Sequence, residues 1–254
     1  PLITNLKKLC NSPELLYDLQ FGKSGAAPLP ASVAALFPAD FRRAHAEYSG
    51  KLQFIDRLLA SIRRRSASDK VVIVSNYTET LHVLAALFRA RDYPFFQLDG
   101  STVIKKRQQL VNEFNKPSVP QFVFLLSSKA GGVGLNLIGA NVLVLFDGSW
   151  NPADDDQAMA RVWRPGQQKT CFLYRLLSTG TIEEKIYQRQ VTKKALSKSV
   201  VEGDQDAVPS FTTSELRDLF RLREDTISDT HDLLNCRCSL ATVKRRIKRA
   251  NDLL

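Results

Sequence analysis

The chain has 254 residues, 44% of them hydrophobic, enough to bury a sizeable core in one α/β domain with appended segments. Lysine and arginine outnumber aspartate and glutamate by 36 to 26, a net charge of +10 with a pI near 9.6, which points to an anionic partner, nucleic acid first. No apolar run nears the roughly 18 residues of a membrane span, no secretory signal opens the chain, and the low cysteine count fits a reducing compartment.

In chain order, residues 2–20 carry a helical pattern, and the opening Pro1 predicts a piece of a longer protein. Residues 22–40, rich in Pro, Gly, Ala and Ser, read as a loop or linker. Within it, Gly22-Lys23-Ser24 mimics the end of a phosphate loop, but Tyr17 stands where the first glycine belongs and a helical segment, not a strand, precedes it. Apolar runs at 71–75, 95–99, 121–127, 142–147 and 170–177 read as buried strands. Helical patterns at 50–65, 78–91, 101–115 and 152–164 alternate with them, with Ser49, Thr78 and Ser101 as candidate N-caps. Strict alternation predicts βαβ units in a mostly parallel sheet covered by helices on both faces, with function at its carboxyl edge. A helix at 181–199, a polar connector at 202–210 and a partly helical tail follow. The tail ends in Lys244, Arg245, Arg246, Lys248 and Arg249, a DNA contact, an import signal or a solvated face. The organisation is a helical segment at 1–21, a linker at 22–48, the main lobe at 49–180, a long helix at 181–200 and a basic extension at 201–254.

The segment 157–167, QAMARVWRPGQ, raises the sharpest question. On a helix turning about 100° per residue, Gln157, Arg161 and Arg164 fall within roughly 60° of each other. Ala158, Met159, Val162 and Trp163 take the packing side. Asn151 caps the start, Pro152 suits the first turn, and Asp154, Asp155 and Asp156 complement the macrodipole. Spaced around a helix, those three carboxylates cannot converge on one ion. A basic α/β domain with an arginine fork but no phosphate loop looks like half of a two-lobed nucleotide-driven motor. Asp147 closes an apolar strand as a magnesium-binding Asp would, but without that loop its predicted role is to cap the turn into Trp150-Asn151-Pro152. Trp150 and Trp163 read as core or interface residues, and His45 and His82 as surface or packing residues.

SSKAGGVGLNLIGANVLVLFDGSWNP followed by DQAMARVWRPGQ resembles the second RecA-like lobe of SWI/SNF-like DNA-dependent ATPases, within helicase superfamily two. KLCNSPELL, KVVIVSNYTETL, LDGS and YRLLSTGTIEEKI keep that family's order and spacing, and TIEEKIYQRQVTKKALS and SDTHDLLNCRC resemble its Rad-group recombinational-repair branch. The resemblance implies that Arg161 and Arg164, with Gln157, act as fingers on ATP and Mg²⁺ held by a first lobe. It implies nucleotide contacts at Gly132 and Gly134 as well. Ser75, Asn76, Gly100, Ser101, Ser127, Ser128, Lys129 and Gly131 would contact the DNA backbone, glycine turns and a following helix N-terminus suiting phosphate approach. The helix at 181–199 resembles a brace toward the first lobe. Implied partners are double-stranded DNA, a RecA-type recombinase filament and nucleosomes, in the nucleus. Departures are Asn76 in place of a common glutamine, Ser199 in place of a tail cysteine, and only His231, Cys236 and Cys238 as weak zinc candidates, so zinc is not expected. The competing readings are a non-catalytic DNA- or recombinase-docking module and an RNA helicase lobe.

Overall fold

The computed structural model describes residues 2–21, 29–43, 45–130, 134–199 and 213–234. The Gly22-Lys23-Ser24 loop, Gly131, Gly132, the 202–210 connector, Cys236, Cys238 and the 244–249 basic run lie outside these residues.

Five strands form one wholly parallel sheet: β1 (Val71–Ser75), β2 (Phe95–Leu98), β3 (Val123–Ser127), β4 (Val142–Leu145) and β5 (Phe172–Arg175), in the order β2-β3-β1-β4-β5. The central three strands are buried throughout. Their alternate residues feed two cores. Val71, Ile73, Leu125 and Val144 pack with α4 (Gly50–Arg65) and α5 (Thr78–Ala90). Val72, Val74, Phe124 and Leu143 pack with α6 (Ile104–Phe114) and α7 (Pro152–Met159). This is the RecA-like lobe expected from the sequence. β5 departs from it: as an edge strand it leaves Phe172 50% and Leu173 46% exposed.

The helix starts differ from prediction in two of three cases. Ser49 caps α4, its Oγ accepting from Leu52 N–H. Tyr77 occupies the cap of α5 and Val103 that of α6, neither with a side-chain bond. Ser101 is diverted because Asp99 accepts from both its N–H and its Oγ, closing a turn that delays α6 by three residues. Between β3 and β4 the described residues form no helix, against expectation. Leu135 and Leu137 alternate into the core, and Asn115 binds Asn136 O and Gly139 N–H, holding 134–141 in a non-helical path.

Pro13 splits the N-terminal helix into α1 (Leu2–Asn11) and α2 (Glu14–Phe21), followed by the short α3 (Ala31–Ala34). α1 packs on α8 (Ile182–Ser199) through Ile3, Leu6, Ile182 and Ile186. The segment containing α9 (Thr213–Leu219) and α10 (Asp229–Leu233) docks on the root of α8. There Glu184 accepts hydrogen bonds from the N–H groups of Gly180, Asp229 and Thr230. Asp229 pairs with Lys185 at 3.0 Å and Arg223 at 2.6 Å.

Two predictions follow from this docking. Gly180 has φ +66° and the Arg223 carbonyl oxygen 1.8 Å from where a Cβ would sit, so Gly180→Ala should lower Tm by several degrees. Gly50→Ala, with open space around it, should leave Tm within about a degree, and equal Tm for the two variants would contradict the docking geometry. Burial alone would raise the Asp229 pKa, but bonds from Gln188, Lys185 and Arg223 outweigh it and hold the carboxyl at about 2. Its stabilising contribution is therefore full above the unfolded value of about 4 and is lost as pH falls from about 4 to 2. Acid titration of stability should flatten across that window in Asp229→Asn; an unchanged profile would exclude this pair.

Candidate functional site

Three turns at the carboxyl ends of adjacent strands hold the sequence-predicted DNA-contacting residues together: Gly100 and Ser101 after β2, Ser127 to Lys129 at the end of β3, and Ser75 and Asn76 at the end of β1. They are not equally accessible. Gly100, Ser101 and Lys129 are exposed and Ser128 half-buried. Ser75 and Ser127 are 0% and 3% exposed. Both end buried strands in a register that pairs them directly.

The reason lies in Asp147, just past β4 and 2% exposed. Its carboxylate accepts from Ser75 Oγ at 2.5 Å, Asn76 N–H and Nδ2 at 2.8 Å each, and Asn11 Nδ2 at 2.9 Å. Asn76 Oδ1 in turn accepts from Ser128 Oγ at 2.7 Å. Asp147 thus organises the β1 and β3 turns rather than capping the turn at Trp150, where Asn151 Oδ1 accepts from Ala153 N–H. Arg107, which sequence reasoning passed over, joins the remaining turn. Its guanidinium donates to Thr102 O, Gly100 O and Ala130 O, linking the β2 turn to the β3 loop.

The arginine segment departs from its predicted geometry. α7 ends at Met159, and Arg161 and Arg164 lie in the turns beyond it. Proline has no N–H with which Pro165 could bond the Arg161 carbonyl four residues back. That carbonyl accepts from Leu137 N–H instead, at 3.0 Å. Gln167 Nε2 donates to the carbonyls of Ile138, Ala140 and Val162, fastening the turn to the strand-linking loop, and Gly166 supplies φ +98°. Gln157 and Arg164 are exposed. Arg161 is 8% exposed, its Nη1 is sealed from solvent without a hydrogen-bond partner among the described residues, and burial lowers its pKa. A guanidinium stays charged even so. Ala158 and Val162 are buried as predicted, whereas Trp163 is 70% exposed, because the helix that would have turned it inward has ended.

Asp155 stands in the first turn of α7 as expected and has further partners: it is 4% exposed, lies 3.4 Å from Arg175, and accepts from Ser149 N–H and Gln190 Nε2 at 3.3 Å each. Burial raises its pKa, opposed by Arg175. α7 is therefore held at its start by α8. Gly134 is exposed. His231 is half-buried on α10. No group of three metal-ligating side chains occurs among the described residues.

Residues 50–166 match the helicase conserved C-terminal domain. The chain is 55% identical over 241 residues to a DNA repair and recombination protein RAD54-like of Gallus gallus, covering 92% of this chain and 32% of that protein. It is 56% identical over 241 residues to the one of Homo sapiens, with coverages of 92% and 31%. With Protein CHROMATIN REMODELING 25 of Arabidopsis thaliana it shares 50% over 253 residues, 93% of this chain and 28% of that one. It spans about a third of the length of these relatives. The crystal structure of the C-terminal part of the Fun30 ATPase domain superposes with a TM-score of 0.55 and 31% identity, covering 85% of this chain and 60% of that one. Residues 50–166 thus carry a helicase conserved C-terminal domain, folded as a RecA-like lobe, and the chain is similar in sequence to about a third of the length of the RAD54-like proteins and in fold to the C-terminal part of the Fun30 ATPase domain.

Proposed function

We propose that this lobe is the second half of an ATP-driven double-stranded DNA translocase of DNA repair and recombination, supplying arginine fingers to ATP and a grip on the DNA backbone. The observation that carries the reading is Arg161. A buried guanidinium nitrogen without a partner costs about 1–3 kcal/mol or more, and such groups persist where a ligand completes them. With exposed Arg164 three residues on, the pair suits an anion carrying several oxygens. Phosphoryl transfer spreads charge over the γ-phosphate oxygens, which planar guanidinium groups match with several donors each. The reading assigns Mg²⁺ to the lobe that carries the phosphate loop and treats Gln157 as lining the approach. Gly134, with Gly132 beyond the described residues, remains a proposed nucleotide contact.

On the DNA side, Gly100, Ser101, Ser128 and Lys129 contact phosphates directly, while Ser75, Asn76 and Ser127 build the turns that present them. Gly131 joins the first group. Alternating grip by two lobes, driven by hydrolysis between them, moves the protein along the duplex; the relatives' names speak of DNA repair and recombination and of chromatin remodeling, and the setting in this reading is a recombinase filament or nucleosome in the nucleus. Unspent charge on Arg161 argues against a docking module, which has no use for a buried cation aimed at nothing.

In the two-lobed protein, Arg164→Lys and Arg161→Ala should each lower DNA-stimulated kcat by about 10³-fold or more while nucleotide Kd changes little. Near-normal kcat in both would remove these arginines from catalysis. DNA affinity should fall steeply with salt and vary little with sequence, and Lys129→Ala should reduce the salt slope by about one. A slope unchanged by Lys129→Ala would take this turn out of the DNA footprint.

A further inference from the structure

We propose that Asn11, Lys51 and Glu183 are positioning residues that couple the DNA-facing turns to the root of α8, an inference that rests on the DNA-gripping function proposed above. Asn11 lies outside the matched helicase domain, at the end of α1, and is 0% exposed. Its amide does what no carboxylate or ammonium could do there. Nδ2 donates to Asp147 Oδ2 at 2.9 Å and Thr80 Oγ1 at 3.1 Å, while Oδ1 accepts from Lys51 Nζ at 2.9 Å. An anion and a cation are thereby joined through one neutral group.

Lys51 spends all three of its protons: on Asn11, on the Phe146 carbonyl at 2.9 Å, and on Glu183 Oε1 at 2.6 Å. Glu183 stands in the first turn of α8, and its other oxygen accepts from Ser178 N–H at 3.1 Å. Read outward from the β3 turn, the path runs Ser128, Asn76, Asp147, Asn11, Lys51, Glu183. Its five hydrogen bonds measure 2.7, 2.8, 2.9, 2.9 and 2.6 Å.

Stability alone does not call for this arrangement. A buried ion pair recovers little beyond its desolvation cost, and packed apolar side chains of similar volume serve a core as well or better. What the pair supplies is direction. Each link accepts one geometry, so a shift of Ser128 or Asn76 as a phosphate is gripped displaces the acceptors of Asp147 and, through Asn11, the ammonium that holds α8. α8 in turn holds the start of α7, the helix that leads into the arginine-bearing turns, through Gln190 and Asp155. DNA at one end of the path thus biases the element that seats α7.

The test uses the two-lobed protein, with ATPase turnover measured with and without a DNA duplex. Asn11→Leu, which keeps the volume and cuts both links, should reduce the ratio of DNA-stimulated to basal kcat about tenfold, leaving basal kcat and nucleotide Kd within about twofold. The double variant Lys51→Met with Glu183→Gln, which removes both buried charges together, should reduce the ratio similarly. In the unsubstituted protein, hydrogen exchange at residues 182–186 should change on DNA addition, a readout that needs no variant to fold. Exchange there that is indifferent to DNA, a stimulation ratio unaltered in a folded variant, or basal and stimulated rates falling in equal proportion would each overturn the coupling. An unsubstituted protein whose turnover ignores DNA would instead contradict the function proposed for the lobe.

Discussion

Four donors converge on the carboxylate of Asp147, at a depth where an unpaired carboxylate would be prohibitively costly, and the arrangement of the whole carboxyl edge follows from that requirement. The donors come from the end of β1 and from α1, so the strand ends cannot be set independently of the N-terminal helix. Because the Asn76 main-chain N–H is among the donors, the turn after β1 has one conformation, and Ser128 follows through its bond to Asn76. A parallel sheet brings these turns to one edge by topology; Asp147 fixes their relative geometry.

Two of the buried cations among the described residues, Lys51 and Arg161, make an instructive contrast. Lys51 has every proton satisfied and a carboxylate 2.6 Å away. Arg161 has a sealed nitrogen with no partner among the described residues, and its backbone is held by the bond from Leu137 N–H to its carbonyl and by the Gln167 amide on the next carbonyl. One is a finished structural junction and the other an unfinished one. The backbone around Arg161 is over-determined, which suits the finger role proposed for it.

Much of the fold was legible in the sequence because it rests on patterns that local chemistry enforces. Runs of β-branched and aromatic residues between helical periods lie in one parallel sheet, and Ser49 and Asn151 cap helices as their side chains suggest. What was not legible depends on partners far away in the chain. Helix periodicity put Arg161 and Arg164 on one regular face, but Pro165 and the claim of Leu137 on the Arg161 carbonyl end the helix sooner. Asp155 read as a complement to the helix dipole, and nothing local announces its partners Arg175 and Gln190. Ser101 carried the signature of a cap, and Asp99 two residues earlier took it for a turn. Lys51 and Arg107 gave no signal, since one Lys or Arg in a helix looks like any other until the groups it reaches are known, and Asn11 stood within the motif KLCNSPELL with nothing there to announce Asp147 or Lys51 as its partners. Family resemblance supplied the candidate DNA turns, and only the structure separates buried Ser75 and Ser127 from exposed Ser101 and Lys129.

On the proposed function, Arg161 is held ready for a phosphate presented from outside this lobe. A structure of the two-lobed protein on a DNA duplex with ADP and aluminium fluoride, which mimics the phosphoryl group in flight, tests this. A guanidinium nitrogen of Arg161 should lie within about 3 Å of a fluoride or phosphate oxygen, with Arg164 on the same group. Arg161 paired to a carboxylate of its own lobe, or still without a partner while the nucleotide lies elsewhere, would contradict it.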